Sequence, residues 1–249
     1  MEHSVRRMEE LSLNAWPCLE TVYYDGWVLR FAGGYTRRAN SVNPIYPSVL
    51  NLNDKIAYCE LIYAARELRT VFKITPSVDP SDLDGMLADR GYVKDAKTSV
   101  QSIALAEGDG PELYTVTIDP GITEDWLGAF CRLNNIDSCF RPVMRKTLTR
   151  IVPRTCFIRL THQNQIVAVG LGMMECDCLG LFDLVVDVHL RHQGLGREIM
   201  LNLMQWGRDN GAHRAYLQVM LNNTPALRFY RRLGFKEIYQ YWYRVKSLR

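Results

Sequence analysis

Apolar and polar positions are patterned most regularly in the last third of the chain. Residues 179–187, LGLFDLVVD, form a short run of β-branched and aromatic side chains and predict a buried strand. From Gly196 to about Asn210, the apolar residues Ile199, Leu201, Leu203, Met204 and Trp206 fall largely at helical spacing, and Asn210-Gly211 supplies the stop. A short strand is expected at 214–220 (RAYLQVM). It is followed by the turn Asn222-Asn223-Thr224, a helix opened by Pro225 and running to about Arg232, and the break Leu233-Gly234-Phe235. Alternating aromatic and β-forming residues in KEIYQYWYRVK, 236–246, predict one strand or a bent pair.

The first half repeats this order. FKIT (72–75) predicts a strand, DPSDLDGMLADRGY (79–92) a helix ending in a Gly-aromatic break, and SVQSIAL (99–105) a second strand. A helix over roughly 55–69 precedes FKIT. Gly234 lies 143 positions after Gly91; at that offset Tyr230 falls on Leu87, Asn223 on Pro80, and the segment around Gly194 and Gly196 on Tyr46–Asn53, which has no matching glycines. The first half therefore reads as a degenerate copy of the second. Residues 23–44 alternate like paired strands, with Asp25-Gly26 as a hairpin turn. Arg37, Arg38, Asn40 and Asn43 in that stretch are either acceptor contacts or a solvated strand face. EGDGP, 107–111, reads as a linker, which divides the chain into modules at 1–106 and 112–249.

With 249 residues, 47% of them hydrophobic, the chain can build one large domain or two small ones. No apolar run reaches the roughly 18 residues of a membrane span, and MEHSVRRMEELSLNAW lacks a signal-like apolar stretch, so a cytoplasmic protein without membrane contact is expected. Seven dispersed cysteines suit reduced thiols, and Cys176-Asp-Cys178 has no second ligand pair, so no metal is expected. A formal charge of +3, with only Arg228, Arg231 and Arg232 grouped, argues against nucleic acid as a partner.

The chemistry is concentrated in RHQGLGREIM, 191–200. A strand, a glycine-containing loop and a helix start present unpaired main-chain N–H groups at the positive end of a helix dipole, which favours a phosphate-bearing ligand. No Lys-Ser/Thr follows the glycines and no third glycine completes G-x-G-x-x-G, so neither a P-loop nor a dinucleotide loop is present.

VVDVHLRHQGLGREIM, followed by VMLNNTPALRFYRRLGF, resembles the acetyl-CoA-binding half of the GNAT acyltransferase superfamily over roughly residues 112–249. The resemblance implies an α/β fold of two GNAT-like modules, each a mixed, mostly antiparallel sheet flanked by helices, with the amino-terminal copy silent. It implies acetyl-CoA as co-substrate, with the main chain of Leu184, Val185 and Val186 pairing with pantetheine. The N–H groups of His192, Gln193, Gly194, Leu195, Gly196 and Arg197 would hold the pyrophosphate beside Arg191. Asn223 aligns with an asparagine that touches the cofactor, and Tyr230 with a tyrosine that protonates the departing thiolate.

Taken singly, these residues have other readings. Leu184–Val186 are core by side chain; Arg191 suits a phosphate or a solvated surface; Asn223 suits a helix cap; Tyr230 suits helix packing. Two positions depart from the family. Gly180 and Gln218 stand where relatives carry a carboxylate that takes the amine proton, and neither can be a general base. Asp183 and Glu175 are the nearest carboxylates in sequence, while His189 and His192 read as neighbours of the loop. The expected activity is acetyl transfer from acetyl-CoA to a primary amine of a small molecule or peptide by direct attack; the alternative is a non-catalytic acyl-CoA sensor. A homodimer stays open.

Overall fold

The computed structural model describes residues 2–106 and 116–247; the predicted linker at 107–111 lies outside them. In chain order the elements are α1 (Glu2–Ala15), β1 (Glu20–Tyr24), β2 (Trp27–Phe31), β3 (Val42–Pro44), α2 (Leu52–Ala64), β4 (Thr70–Ile74), α3 (Leu83–Asp89) and β5 (Val93–Ala104). There follow β6 (Val116–Asp119), α4 (Glu124–Leu133), α5 (Arg141–Leu148), β7 (Arg154–His162), β8 (Gln165–Glu175), β9 (Cys178–Val186), α6 (Leu195–Asp209), β10 (Arg214–Met220), α7 (Thr224–Arg232) and β11 (Lys236–Lys246). The chain forms two compact units. One contains residues 1–100, 219–233 and 237–249; the other contains 101–218 and 234–236.

In the first unit the strands run in the order β1-β2-β3-β4-β11-β5. β1 and β2 pair antiparallel around the predicted Asp25-Gly26 turn, β3 and β4 are parallel, and β4 pairs antiparallel with β11 in register Trp242–Ile74 to Lys246–Thr70. Trp27, Leu29, Phe31, Val42, Phe72 and Ile74 point to one face, where they meet Ile56, Cys59 and Tyr63 of α2 and Leu83 and Leu87 of α3. The opposite face is mixed, with Val28 and Val71 beside Arg30 and Lys73. There Lys73 forms a buried ion pair with Glu9 of α1, and Tyr239 donates to the same carboxylate at 2.7 Å. The buried stripe of α1 mixes Val5, Met8 and Leu11 with Glu9 and Ser12, so no clean apolar period marks this helix in the sequence.

In the second unit β6, β7, β8 and β9 form an antiparallel meander, and β10 lies parallel to β9. Thr123 caps α4, and the indole N–H of Trp126 is shared by the carbonyls of Ile158 and Gly170, both at 3.1 Å. α6 buries Ile199, Met200 and Leu203.

The internal repeat is visible in the elements themselves. Leu52 and Leu195, which open α2 and α6, stand 143 residues apart, as do Val93 and Lys236, which open β5 and β11. Both units place a parallel strand pair on either side of a helix, β3 and β4 around α2 and β9 and β10 around α6.

Three predicted spans shift. The 79–92 helix contracts to Leu83–Asp89, because a turn closed by Leu83 N donating to Pro80 O at 3.2 Å precedes it and Gly91, at φ +82°, ends it. The 55–69 helix becomes Leu52–Ala64, set by an Asn51 cap. The 99–105 strand starts earlier, at Val93. KEIYQYWYRVK forms one strand.

Candidate functional site

In the second unit the site begins with an irregularity in β9. The ladder to β8 runs Ala168–Val186 and Val169–Val185, then resumes at Leu171–Phe182, so β9 carries one extra residue. The bulge falls at Asp183-Leu184, with Asp183 at φ +53°. Parallel pairing with β10 extends from Cys178–Arg214 to Leu181–Leu217, while β9 continues to Val186. In the described ladder, the Leu184–Val186 backbone therefore has β8 as its strand partner on one side. Val185 is buried and Leu184 and Val186 are half-buried, in keeping with core side chains on a backbone whose other edge suits strand addition.

Asp187 then turns the chain. Its N–H donates to Val167 O at 2.8 Å, and its carboxylate accepts from His189 N at 2.9 Å, capping one turn of 3-10 helix over Val188–Leu190. The Nε of Arg191 donates to Val186 O at 3.4 Å, which ties this arginine to the end of β9. His192 and Gly194 both have positive φ, +65° and +86°, and residues 191–194 are exposed.

Gly194 is the N-cap of α6 and offers no side-chain cap; the first intrahelical bond runs from Glu198 N to Gly194 O at 3.0 Å. The N–H groups of Leu195 and Gly196 thus have no intrahelical acceptor, and they sit at the positive end of a 15-residue helix. Leu195 is buried and anchors the turn, while Gln193 and Arg197 are exposed. This arrangement can hold a phosphate.

Position 180 is closed to a side chain. A Cβ on Gly180 would lie 2.6 Å from Phe182 Cε2 and 2.9 Å from the Tyr216 hydroxyl. Gly180 pairs with Tyr216 across β9 and β10, and the Phe182 and Tyr216 rings meet edge to face at 5.9 Å. Gln218 is half-buried two residues further along β10. Of the two nearest carboxylates, Asp183 sits half-buried at the bulge, whereas Glu175 pairs with Cys178 at the far end of the hairpin.

Asn223 and Tyr230 lie in the first unit. Asn223 is the N-cap of α7, its side-chain oxygen accepting from Ala226 N at 3.2 Å. α7 has no fully buried residue; Leu227, Phe229 and Tyr230 are each half-covered. The Tyr230 ring lies 5.2 Å from that of Phe229, and although part of the residue reaches the surface, burial of its phenol pushes the pKa up to about 12.

The sequence reading did not find the Asp183 bulge, the Asp187 cap or the packing of Tyr216 on Gly180. Asp187, two residues before His189, is an Asx-turn signal that could have been read. Tyr216 could be placed only once the β9–β10 register was known. Among the described residues no group of three His, Cys, Asp or Glu side chains is arranged to hold a metal, and no helix is long and apolar enough to cross a membrane.

Comparison with known proteins places the family and the fold. Residues 3–244 match the family described as "Probable histone acetyltransferase Rv0428c C-terminal". The chain is 27% identical over 247 residues to the uncharacterized N-acetyltransferase YobR of Bacillus subtilis, covering 97% of this chain and 98% of that one. Among solved structures, a GCN5-related N-acetyltransferase from Kribbella flavida superposes with a TM-score of 0.72 at 13% identity, covering 98% and 96% of the two chains. A tandem GNAT protein from the clavulanic acid biosynthesis pathway does so with a TM-score of 0.63 at 10% identity, covering 97% and 88%.

Proposed function

The chain belongs to the Rv0428c C-terminal family of GNAT N-acetyltransferases, and from that premise we propose that it moves an acetyl group from acetyl-CoA to a primary amine in the cytoplasm. The observation that carries this reading is the junction of β9 with α6. In the described ladder the pairing of β9 with β10 ends at Leu181, and β9 runs on through Leu184–Val186 to a helix N-terminus whose cap, Gly194, supplies no side chain.

Acetyl-CoA supplies the acyl group as a thioester. The main chain of Leu184–Val186 lies along the pantetheine, the N–H groups of residues 192–197 and Arg191 hold the pyrophosphate, and the N–H of Val186 polarises the thioester carbonyl. The amine nitrogen attacks that carbonyl carbon, the C–N bond forms, the C–S bond breaks, and the amine proton leaves to water. Tyr230 gives its phenolic proton to the thiolate and regains one from water; its role and that of Asn223 rest on the family resemblance. The raised phenol pKa keeps the proton on Tyr230 at neutral pH.

A second reading, a sensor that binds acyl-CoA without turnover, is favoured by one observation. Position 180 is occupied by Phe182 and Tyr216, so the carboxylate that relatives use has no place there. Calorimetric titration with acetyl-CoA tests the part common to both readings: one molecule binds per chain. Two would contradict the degenerate first module, and none would contradict the site.

A further inference from the structure

At the offset of 143 residues, the segment that precedes α2, Tyr46–Asn53, is the counterpart in the first unit of the loop that precedes α6. It has no glycines, and the main-chain donors of Tyr46, Val49, Leu50 and Asn53 are already engaged. The Asp25 carboxylate accepts from Val49 N at 3.2 and 3.1 Å and from Leu50 N at 2.9 Å. Asn51 Oδ1 accepts from Asn53 N at 2.9 Å and Asp54 N at 3.4 Å. Lys55, one turn into α2, donates its ammonium to Asp25 Oδ2 at 2.9 Å and to the Asp25 carbonyl at 2.6 Å.

Lys55 has no exposed side-chain surface, and its Nζ lies 4.0 Å from the centroid of the Trp27 ring. Its charge has to be met by a neighbouring anion, and Asp25 is that anion. Two main-chain N–H groups, one ammonium and a helix N-terminus are the surroundings of a bound phosphate. In keeping with this, the hydrogen bond from Leu50, followed by that from Lys55, holds the Asp25 carboxyl below the usual carboxylate range.

The turn that carries Asp25 is built to deliver it. Asp25 and Gly26 have φ of +41° and +79°, and Tyr46 N donates to Gly26 O at 3.0 Å. A Cβ on Gly26 would meet Pro47 O at 2.3 Å, so the glycine lets the 46–47 backbone close onto the turn.

We propose that Asp25 is a built-in anion, seated where the first module's counterpart of the phosphate position lies, and that this carboxylate closes that module to acyl-CoA. The proposal rests on the reading of residues 192–197 as a diphosphate seat. Removing the carboxylate leaves the Val49 and Leu50 N–H groups and the Lys55 ammonium facing a vacant seat that an inorganic oxyanion fits.

The test uses the full chain with Asp25→Gly, which keeps the positive φ of the turn, and Asp25→Asn, which removes the charge but keeps the seat filled. Thermal melting is followed in millimolar inorganic diphosphate and in sodium chloride of equal ionic strength. Asp25→Gly should melt several degrees below the natural protein and recover at least half of that loss in diphosphate, while Asp25→Asn should gain no more from diphosphate than the natural protein does. If Asp25→Gly is obtained unfolded, diphosphate should restore the fold. A diphosphate response in Asp25→Gly no larger than that of the natural protein, or no recovery of an unfolded Asp25→Gly, overturns the proposal. A natural protein indifferent to diphosphate beside a rescued Asp25→Gly would count against the seat at 192–197 and leave the role of Asp25 standing.

Discussion

The Tyr216 hydroxyl lies 2.9 Å from the point where a Cβ on Gly180 would stand, and the Phe182 ring closes the same point from 2.6 Å. The glycine is thus a packing requirement of two aromatic rings as well as the loss of a base. Gly180→Glu should not restore a general base. It should overpack the strand pair and destabilise the protein by about 1–3 kcal/mol, with no gain in acetyl transfer. Denaturant unfolding and steady-state rates check this, and a faster, equally stable variant would show that the rings can yield.

Gly194 makes a different demand. Nothing lies within 4 Å of a Cβ built there, yet its φ is +86°. The requirement is conformational, since an L-residue with a Cβ pays roughly 1–2 kcal/mol in the left-handed region while asparagine is tolerated. Gly194→Val should raise the KM for acetyl-CoA strongly by moving the donors of the first turn, and Gly194→Asn should raise it much less. Equal effects of the two would shift the cause from backbone angle to crowding of the cofactor.

Tyr230→Phe keeps the ring beside Phe229 and removes the donor. Turnover should fall by about 10²-fold, the low end for general acid catalysis against a thiolate leaving group, with acetyl-CoA affinity little changed. Because burial pushes this phenol up to about 12, it keeps its proton well past neutrality. The unfolded chain ionises its tyrosines near pH 10, so between roughly pH 10 and 12 the unfolded state holds fewer protons and this tyrosine's contribution to stability is lost as pH rises. Melting temperature should therefore drop less over that interval in Tyr230→Phe than in the natural protein. An equal drop would place the phenol in water.

Much of the second module is legible in the sequence because its signals are local. β10 spans 214–220 as expected, and α6 and α7 begin within a residue or two of Gly196 and Pro225. What the sequence hides is long-range. The pairing of β11 with β4, 168 residues apart where Trp242 meets Ile74, depends on partners that no short window contains. The Asp183 bulge depends on the β8 register. α1 is hidden for a different reason, since on its buried stripe Glu9 answers Lys73 and Tyr239 and Ser12 donates back to Met8 O at 2.7 Å, and both read as solvent-facing in isolation. Asn223 shows both limits: its cap of α7 follows from local chemistry, while its contact with a cofactor rests on family resemblance.

The central claim is acetyl transfer to an amine, and release of free thiol from acetyl-CoA across a panel of primary amines tests it most directly. Amino acids, peptide N-termini, polyamines and aminoglycosides form the panel, with the product identified by mass. The account predicts that at least one amine gains a single acetyl group, in step with thiol release, and that Gly194→Val raises the acetyl-CoA concentration this requires. Tight binding of acetyl-CoA with no acetylated amine anywhere in the panel would contradict it and leave the sensor reading in its place.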